Sequence, residues 1–533
     1  MFFSSGNLTA RIFERQIRTP RPSTSVNRVR KFYENLVPNH TEYDIDCPDI
    51  YFRKFTDDGQ YLITFSRNYQ ELIVYRPTGL SVSFKEDCHF HDVSTKVKRF
   101  DSYFNQLYCI PLASSNEVIC KDFFLYMDDR QFGLFATSTM HVHEPTFIQG
   151  GVHGIPSIEK ITFHLLRLED GVILDEKVFH NDFIHVTSCI GVFIYDDLIS
   201  ILSILYQTIH IFQIRESGNL VEVRRIGSFC RDDDELFLNS HAQVIATDKN
   251  KPISSSFSVE NNTEHPDDTE RNTFFSGIKQ RLLSFIFRGI WNEREDDLLR
   301  VPLLKKKFYF HFQDYANLVI WKVQFLDRRH LFIKFGSAEG AVSRSTEIHR
   351  AFFAVYNMET TEIISFHQNP SDELYLLFEK FCSNFHVASR NSLHANFVTS
   401  HSNNLHALEL LKVIKSKSTY YSQFVKKILA SLPFTCQSQS PSPYFDQSLF
   451  RYDEKLISSM ERHRQALDYP IKFILRRQPN THKFKIKPGP DSGSADARQK
   501  RIYSFLFHPF LPFAISIQHT FMQSTVVNVH FRR

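Results

Sequence analysis

The chain punctuates itself into short strands at nearly regular intervals, and this limits its possible folds more than any other feature. YFRKF (Tyr51–Phe55), the turn Asp57-Asp58-Gly59, QYLITFS, a loop at Arg67–Gln70 and ELIVYR read as three antiparallel strands joined by tight turns. The same grammar returns in QFGLFATST (Gln131–Thr139) with ITFHLLRLEDGVILDEKVF (Ile161–Phe179), which turns at Glu169-Asp170-Gly171. It returns again in GVFIYDDLISILS with QTIHIFQIRESGNLVEVRRIG (Gly191–Gly227), turning at Ser217-Gly218-Asn219, and in HLFIKFGS with AFFAVYNMETTEIISFHQ (His330–Gln368). A last pair, SFLFHPFLPFAISIQ and STVVNVHFRR, ends the chain. With 53 Phe and 21 Tyr against 17 Gly and 2 Trp, such strands are suited to pack through aromatic side chains.

Short strands at regular spacing, each ladder closing on a polar turn, suit a β-propeller, whose ring removes exposed sheet edges. The expected fold class is therefore mainly β: a degenerate, WD40-like propeller without Trp-Asp dipeptides, its first blade paired with strands from the chain's end. One or two β-sandwiches are the alternative. Residues 1–40 read as a helix-loop-helix, 41–239 as the first blades, and 240–275, polar and without period, as a disordered loop. An amphipathic helix is expected over 276–300, further blade strands over 301–370, a helical insertion with the Ser/Pro-rich QSQSPSPYFDQ over 371–460, and closing blade strands over 461–533. Ile278, Leu282, Phe285, Ile286 and Ile290 line one side of the 276–300 helix, which either packs on the body or docks a partner. In SDELYLLFEKFCSNF, Leu374, Leu377, Phe378, Phe381, Cys382 and Phe385 share a face, and two further helices are expected over 403–415 and 419–432.

Catalytic equipment is scarce in the sequence. No phosphate-binding loop, dinucleotide fingerprint, nucleophile elbow or H-E-x-x-H motif occurs, so a non-enzymatic protein without cofactor is expected. His141-x-His143-Glu144 and Cys88-x-x-His91 lack the second half of a metal site and read as polar loops. The cysteines at 47, 88, 109, 120, 189, 230, 382 and 436 form no C-x-x-C pair and read as reduced, mostly buried thiols. The leading MFFSSGNLTARIFERQIR has no apolar secretory core and the longest apolar run, Leu198–Leu205, is too short to span a bilayer, so an intracellular protein with no membrane association and unglycosylated Asn7, Asn39 and Asn261 is expected. A formal charge of +4 is too balanced for a nucleic-acid coat, and no motif for sequence-specific DNA reading occurs. The acidic run Asp232, Asp233, Asp234 and Glu235 is either a solvated turn or a contact for basic partners, and Lys305-Lys306-Lys307, RRQPNTHKFKIKPG and Arg498–Arg501 form basic clusters.

Several long strings carry a resemblance: TARIFERQIRTPRPSTSVNRVRKFYENL, FRKFTDDGQYLITFSRNYQELIVYRP, LASSNEVICKDFFLY, IKQRLLSFIFR, KKKFYFHFQDY, AFFAVYNMETTEII, SQSPSPYFDQSLFRYDEKLIS and FHPFLPFAISIQ. Together they resemble the de-etiolated-one family of light-signalling repressors, in its plant form, over essentially the whole chain. The resemblance implies a nuclear, non-catalytic scaffold and substrate receptor within a cullin-four RING ubiquitin ligase, repressing photomorphogenesis in darkness. Implied partners are the damaged-DNA-binding adaptor of that ligase, a small adaptor-associated protein, a ubiquitin-conjugating enzyme or its constitutive-photomorphogenic-ten-type variant, transcription factors and histones. A corepressor module acting on chromatin or transcription factors independently of ubiquitin ligation is the alternative. Receptors of this class present an N-terminal helix-loop-helix to the adaptor, a layout that residues 5–37 match, with Leu8, Ile12, Phe13, Val29, Phe32, Tyr33 and Leu36 as the expected anchors. The Trp-Asp-x-Arg signature that many such receptors carry on a blade is absent.

Overall fold

In a computed structural model, the described residues are 33–78, 99–127, 130–140, 142–143, 151–187, 191–227, 277–291, 300–337, 351–368, 371–381, 442–445, 449–452, 470–478, 481–487, 489, 504–509, 511–518 and 525–532. They form two compact units: Met1–Cys47 with Thr95–Lys98 and Ser442–Arg533, and Pro48–Ser94 with Arg99–Pro441. The first strand, β1 (His40–Asp46), belongs to the former unit, and the next eighteen strands to the latter.

In the larger unit, β2 (Ile50–Phe55), β3 (Leu62–Ser66), β4 (Glu71–Pro77) and β5 (Phe104–Pro111) form one antiparallel meander. The second sheet takes β6 (Glu117–Ile119), β7 (Leu125–Met127), β8 (Phe132–Thr139), β9 (Val142–His143), β10 (Ser157–Arg167) and β11 (Ile173–Asp182), running β11-β10-β8-β6 with β7 on β8 and β9 on β10. Two more meanders follow: β12 (Val192–Tyr195), β13 (Leu198–Ser203), β14 (Thr208–Ile214) and β15 (Leu220–Gly227), then β16 (Val319–Phe325), β17 (His330–Gly336), β18 (Phe352–Asn357) and β19 (Glu362–Gln368). Between those two lie helices α1 (Gly277–Trp291), α2 (Arg300–Phe310) and α3 (Phe312–Ala316); α4 (Asp372–Lys380) follows β19.

Each sheet buries one face on its successor. Ile63, Phe65, Leu72 and Val74 of the first sheet share a core with Phe135 and Leu166 of the second. Leu134, Phe163 and Leu165 of the second meet Val192, Ile199, Ile201 and Phe212 of the third, while Leu202, Ile209 and Ile211 meet Ile320, Phe325 and Leu331 of the fourth. The hairpin turns continue this order. Gly171, at φ +76° in the β10–β11 turn, lies so close to Ile110 of β5 that an added Cβ would be 2.3 Å from its Cδ1. Gly218, at φ +86° in the β14–β15 turn, stands in the same relation to Leu174 of β11, at 2.5 Å. Only glycine combines that backbone conformation with that approach.

The smaller unit joins β1 to strands from the C-terminal part of the chain. β20 (Phe450–Arg451), β21 (Ile471–Leu475) and β22 (His482–Ile486) form one sheet, and β23 (Ser504–Phe507), β24 (Phe513–Gln518) and β25 (Val526–Phe531) form another that β1 completes in the order β1-β25-β24-β23. β1 pairs from His40↔Phe531 to Asp46↔Val526 and is interrupted by a bulge at which Asp44 takes φ 59°. A strand from the leading part of the chain therefore does pair with strands from its end, but that strand is His40–Asp46. The hairpin beginning at Tyr51 lies in a separate sheet. Aromatic rings fill this unit: Phe473 stacks on Phe484 at 4.4 Å, and Phe445 meets Phe507 edge-on at 4.6 Å.

One boundary shifts from the sequence reading. Helix does not end at 300, because α2 and α3 carry it to Ala316, with Pro302 in the first turn of α2 where a missing N–H costs no hydrogen bond. The basic stretch 476–489 contains β22, whose HKFKI alternates exposed and buried residues as an antiparallel strand requires. The expected loop 240–275, the helices at 403–415 and 419–432, and residues 1–32 of the helix-loop-helix lie outside the described residues.

Candidate functional site

Five expected docking anchors, Leu8, Ile12, Phe13, Val29 and Phe32, lie outside the described residues. Tyr33 lies in a short helical stretch over 33–35 that Leu36 follows, and both are fastened to the smaller unit. The Tyr33 ring is buried edge-on against Tyr444 at 5.7 Å, and the Tyr444 hydroxyl donates to the Leu36 carbonyl. Arg532 donates to the Asn35 carbonyl at 3.1 Å. Tyr33 is therefore taken up by the chain's own body.

The apolar face of α1 is likewise used internally. Ile278 and Leu282 are fully buried in the core shared by the third and fourth sheets, with Phe285 and Ile286 packed against it. Of the two readings of this helix, packing on the body is the one observed; the side chain of Ile290 is not described. Leu374 of α4 enters the same core with Leu377 and Phe381 against it. Asp232, Asp233, Asp234 and Glu235 lie outside the described residues, as do Cys88, His91, His141 and Glu144. Among the described residues no cluster of His, Cys, Asp and Glu could hold a metal ion, and no helix is long and apolar enough to cross a membrane. Of the cysteines described, Cys47 is buried and Cys120 half-buried, while Cys109 on β5 is exposed, against the expectation of buried thiols.

Buried polar chains run through the sheets, and sequence reading missed them. In the second sheet Glu176 contacts Nδ1 of His164 at 2.7 Å, Nε2 of His164 lies 3.0 Å from the Thr137 hydroxyl, and that hydroxyl lies 3.1 Å from Glu117, which pairs with Lys160 at 2.6 Å. Burial pushes the His164 imidazole below its ordinary pKa, opposed by the bond to Glu176. Burial also pushes the Glu117 carboxyl up, yet its contact with Lys160 holds it below the usual range. Carboxylate, imidazole and hydroxyl occur in the order of a nucleophilic triad. The likeness ends there, because Thr137 is wholly buried and its hydroxyl donates to Glu117. No carbonyl can reach that oxygen, and the arrangement braces the sheet.

The third sheet repeats the device, with His210 Nδ1 2.7 Å from Glu222, and Asp182 at the end of β11 accepts from Ser203 of β13 at 2.7 Å. In the β1 sheet His530 lies between the hydroxyls of Thr41 at 2.9 Å and Ser516 at 2.8 Å, while Asn528 accepts from the Asp44 amide at 3.1 Å. These bonds hold the polar strand β1 where its few apolar side chains could not. One signal was available in the sequence: both His164–Glu176 and His210–Glu222 are separated by 12 residues across a hairpin.

The described geometry thus offers closed cores, satisfied polar chains and a Tyr33–Leu36 stretch held against the smaller unit. Residues 121–533 match the family of De-etiolated protein 1, Det1. The chain belongs to the Det1 family. Light-mediated development protein DET1 of Solanum lycopersicum is 63% identical over 533 residues, covering 100% of both chains, and its Arabidopsis thaliana namesake is 62% identical over 543 residues, again covering 100% of each. The match to the family begins at residue 121, so β1 to β6 and the expected docking segment are covered by these relatives and lie outside the family match. Among solved structures, a periplasmic gluconolactonase from Pseudomonas aeruginosa aligns over 36% of this chain and 39% of its own at 8% identity with a TM-score of 0.18, too low to carry an argument.

Proposed function

We propose that this Det1-family chain is a non-catalytic scaffold and substrate receptor of a nuclear cullin-four RING ubiquitin ligase, repressing light-regulated development. Its observational support is the full-length identity of 62–63% to proteins named for light-mediated development. In this reading the segment preceding Tyr33 docks the damaged-DNA-binding adaptor through Leu8, Ile12, Phe13, Val29 and Phe32, large side chains of the kind that dominate helix-in-groove interfaces. The body brings a ubiquitin-conjugating enzyme or its variant near targets such as transcription factors. The four sheets stacked in chain order, each sharing its core with the next, support a degenerate propeller as the body's architecture. An experimental map in which the sheets fail to close into a ring would remove that part of the proposal.

The test is co-elution of the full-length chain with the purified adaptor. Ile12→Asp combined with Phe32→Asp is expected to abolish co-elution while circular dichroism and melting temperature stay unchanged. Co-elution that survives both substitutions rules out docking through this segment.

A further inference from the structure

The surface of α2 (Arg300–Phe310) carries a stripe that neither the fold nor the proposed adaptor docking uses. Phe308 anchors the helix from beneath: it is buried, meets Phe287 of α1 at 5.4 Å and stacks with Tyr315 of α3 at 6.1 Å. That contact turns the opposite side outward. Leu303, Lys306, Lys307 and Phe310 follow at helical spacings of three, four and seven, hence on one face, with Leu303 67% and Phe310 82% exposed and both lysines exposed. Tyr309, 65% exposed, flanks them. Seven residues of helix place the two apolar side chains about 10 Å apart along the axis. Such an exposed apolar pair on a rigid element marks an interaction site.

Charge selects the occupant. From Arg300 to Ala316 the cations are Arg300, Lys305, Lys306 and Lys307, and the single carboxylate, Asp314, contacts His311 at 3.0 Å. Nucleic acid fits less well, since one of the two apolar anchors is an aliphatic Leu, which offers a base no ring to stack on, and lysine lacks the planar fork of arginine. We infer that this face of α2 docks an acidic, amphipathic protein helix, whose apolar residues cover Leu303 and Phe310 while its carboxylates meet Lys306 and Lys307.

A fluorescein-labelled synthetic helix of Leu and Glu in amphipathic order is the probe, titrated into the full-length protein. Binding is expected, weakening as salt is raised. Leu303→Ser with Phe310→Ser, and separately Lys306→Glu with Lys307→Glu, are each expected to weaken it about tenfold or more, equivalent to about 1.4 kcal/mol. All four side chains are exposed, so melting temperature should not move, and the second pair of substitutions keeps the apolar residues as a check on solubility effects. Absence of binding, binding unchanged by both pairs, or preference for phosphatidylserine vesicles or a single-stranded oligonucleotide over the peptide overturns the inference.

Discussion

His530 is buried between two hydroxyls, and burial holds its imidazole down to about 3, so the folded state keeps it neutral where an unfolded chain would protonate it near pH 6.5. Its contribution to stability is complete above about pH 6.5 and is lost as pH falls toward 3. Thermal unfolding of His530→Gln should therefore show a shallower loss of stability between those pH values than the parent, together with a cost of about 1–3 kcal/mol at neutral pH from the broken bonds to Thr41 and Ser516. Parallel pH profiles for the two proteins would refute the assignment. Lys322 poses the opposite case. It faces Lys334 across β16–β17, and burial brings its ammonium down to about 8. Below that pH the folded state carries a desolvated charge, and the penalty fades as pH rises from about 8 to 10.5. Lys322→Met should raise the melting temperature at pH 7 and lose that advantage by pH 10.5; no gain at pH 7 would count against it. Neither residue could be singled out from sequence, because a histidine or lysine in an alternating strand does not reveal which face its neighbours bury.

The hairpins were legible because their turns are written in the residues themselves. Asp57-Asp58-Gly59, Glu169-Asp170-Gly171 and Ser217-Gly218-Asn219 all close strands where expected, with Gly59, Gly171 and Gly218 at positive φ. The two turn glycines at sheet contacts do more than turn. Gly171→Ala must strain the backbone and also displace Ile110, whereas Gly154→Ala, at φ +86° with nothing within 4 Å, strains the backbone alone. Chemical denaturation should give about 1 kcal/mol for Gly154→Ala and about 2–4 kcal/mol for Gly171→Ala. Equal losses would mean that the turn does not pack on β5. HTEYDID of β1 is too polar to announce a strand, since its placement depends on bonds to His530 and Asn528, some 490 residues away in the chain. HKFKI of β22 falls among the closing strands expected over 461–533, and its alternation sets its lysines outside the buried face. α2 was missed because its apolar residues follow no single stripe: among its described side chains Phe308 is buried against its neighbours while Leu303 and Phe310 face outward.

For the molecule as a whole, sequence reading reached the mainly β architecture, the succession of sheets and the family. The expected docking segment rests on pattern and resemblance alone, and its C-terminal end is structural, since Tyr33 and Leu36 are held by Tyr444. From 33 onward the leading residues complete a folded unit, and the proposed docking role falls on those before 33. The most direct measurement is calorimetric titration of the adaptor into the full-length chain and into a chain lacking residues 1–32. The account predicts that the shortened chain melts as the parent does yet binds at least about tenfold more weakly, a loss of about 1.4 kcal/mol or more. Unchanged affinity in a stably folded shortened chain would contradict it.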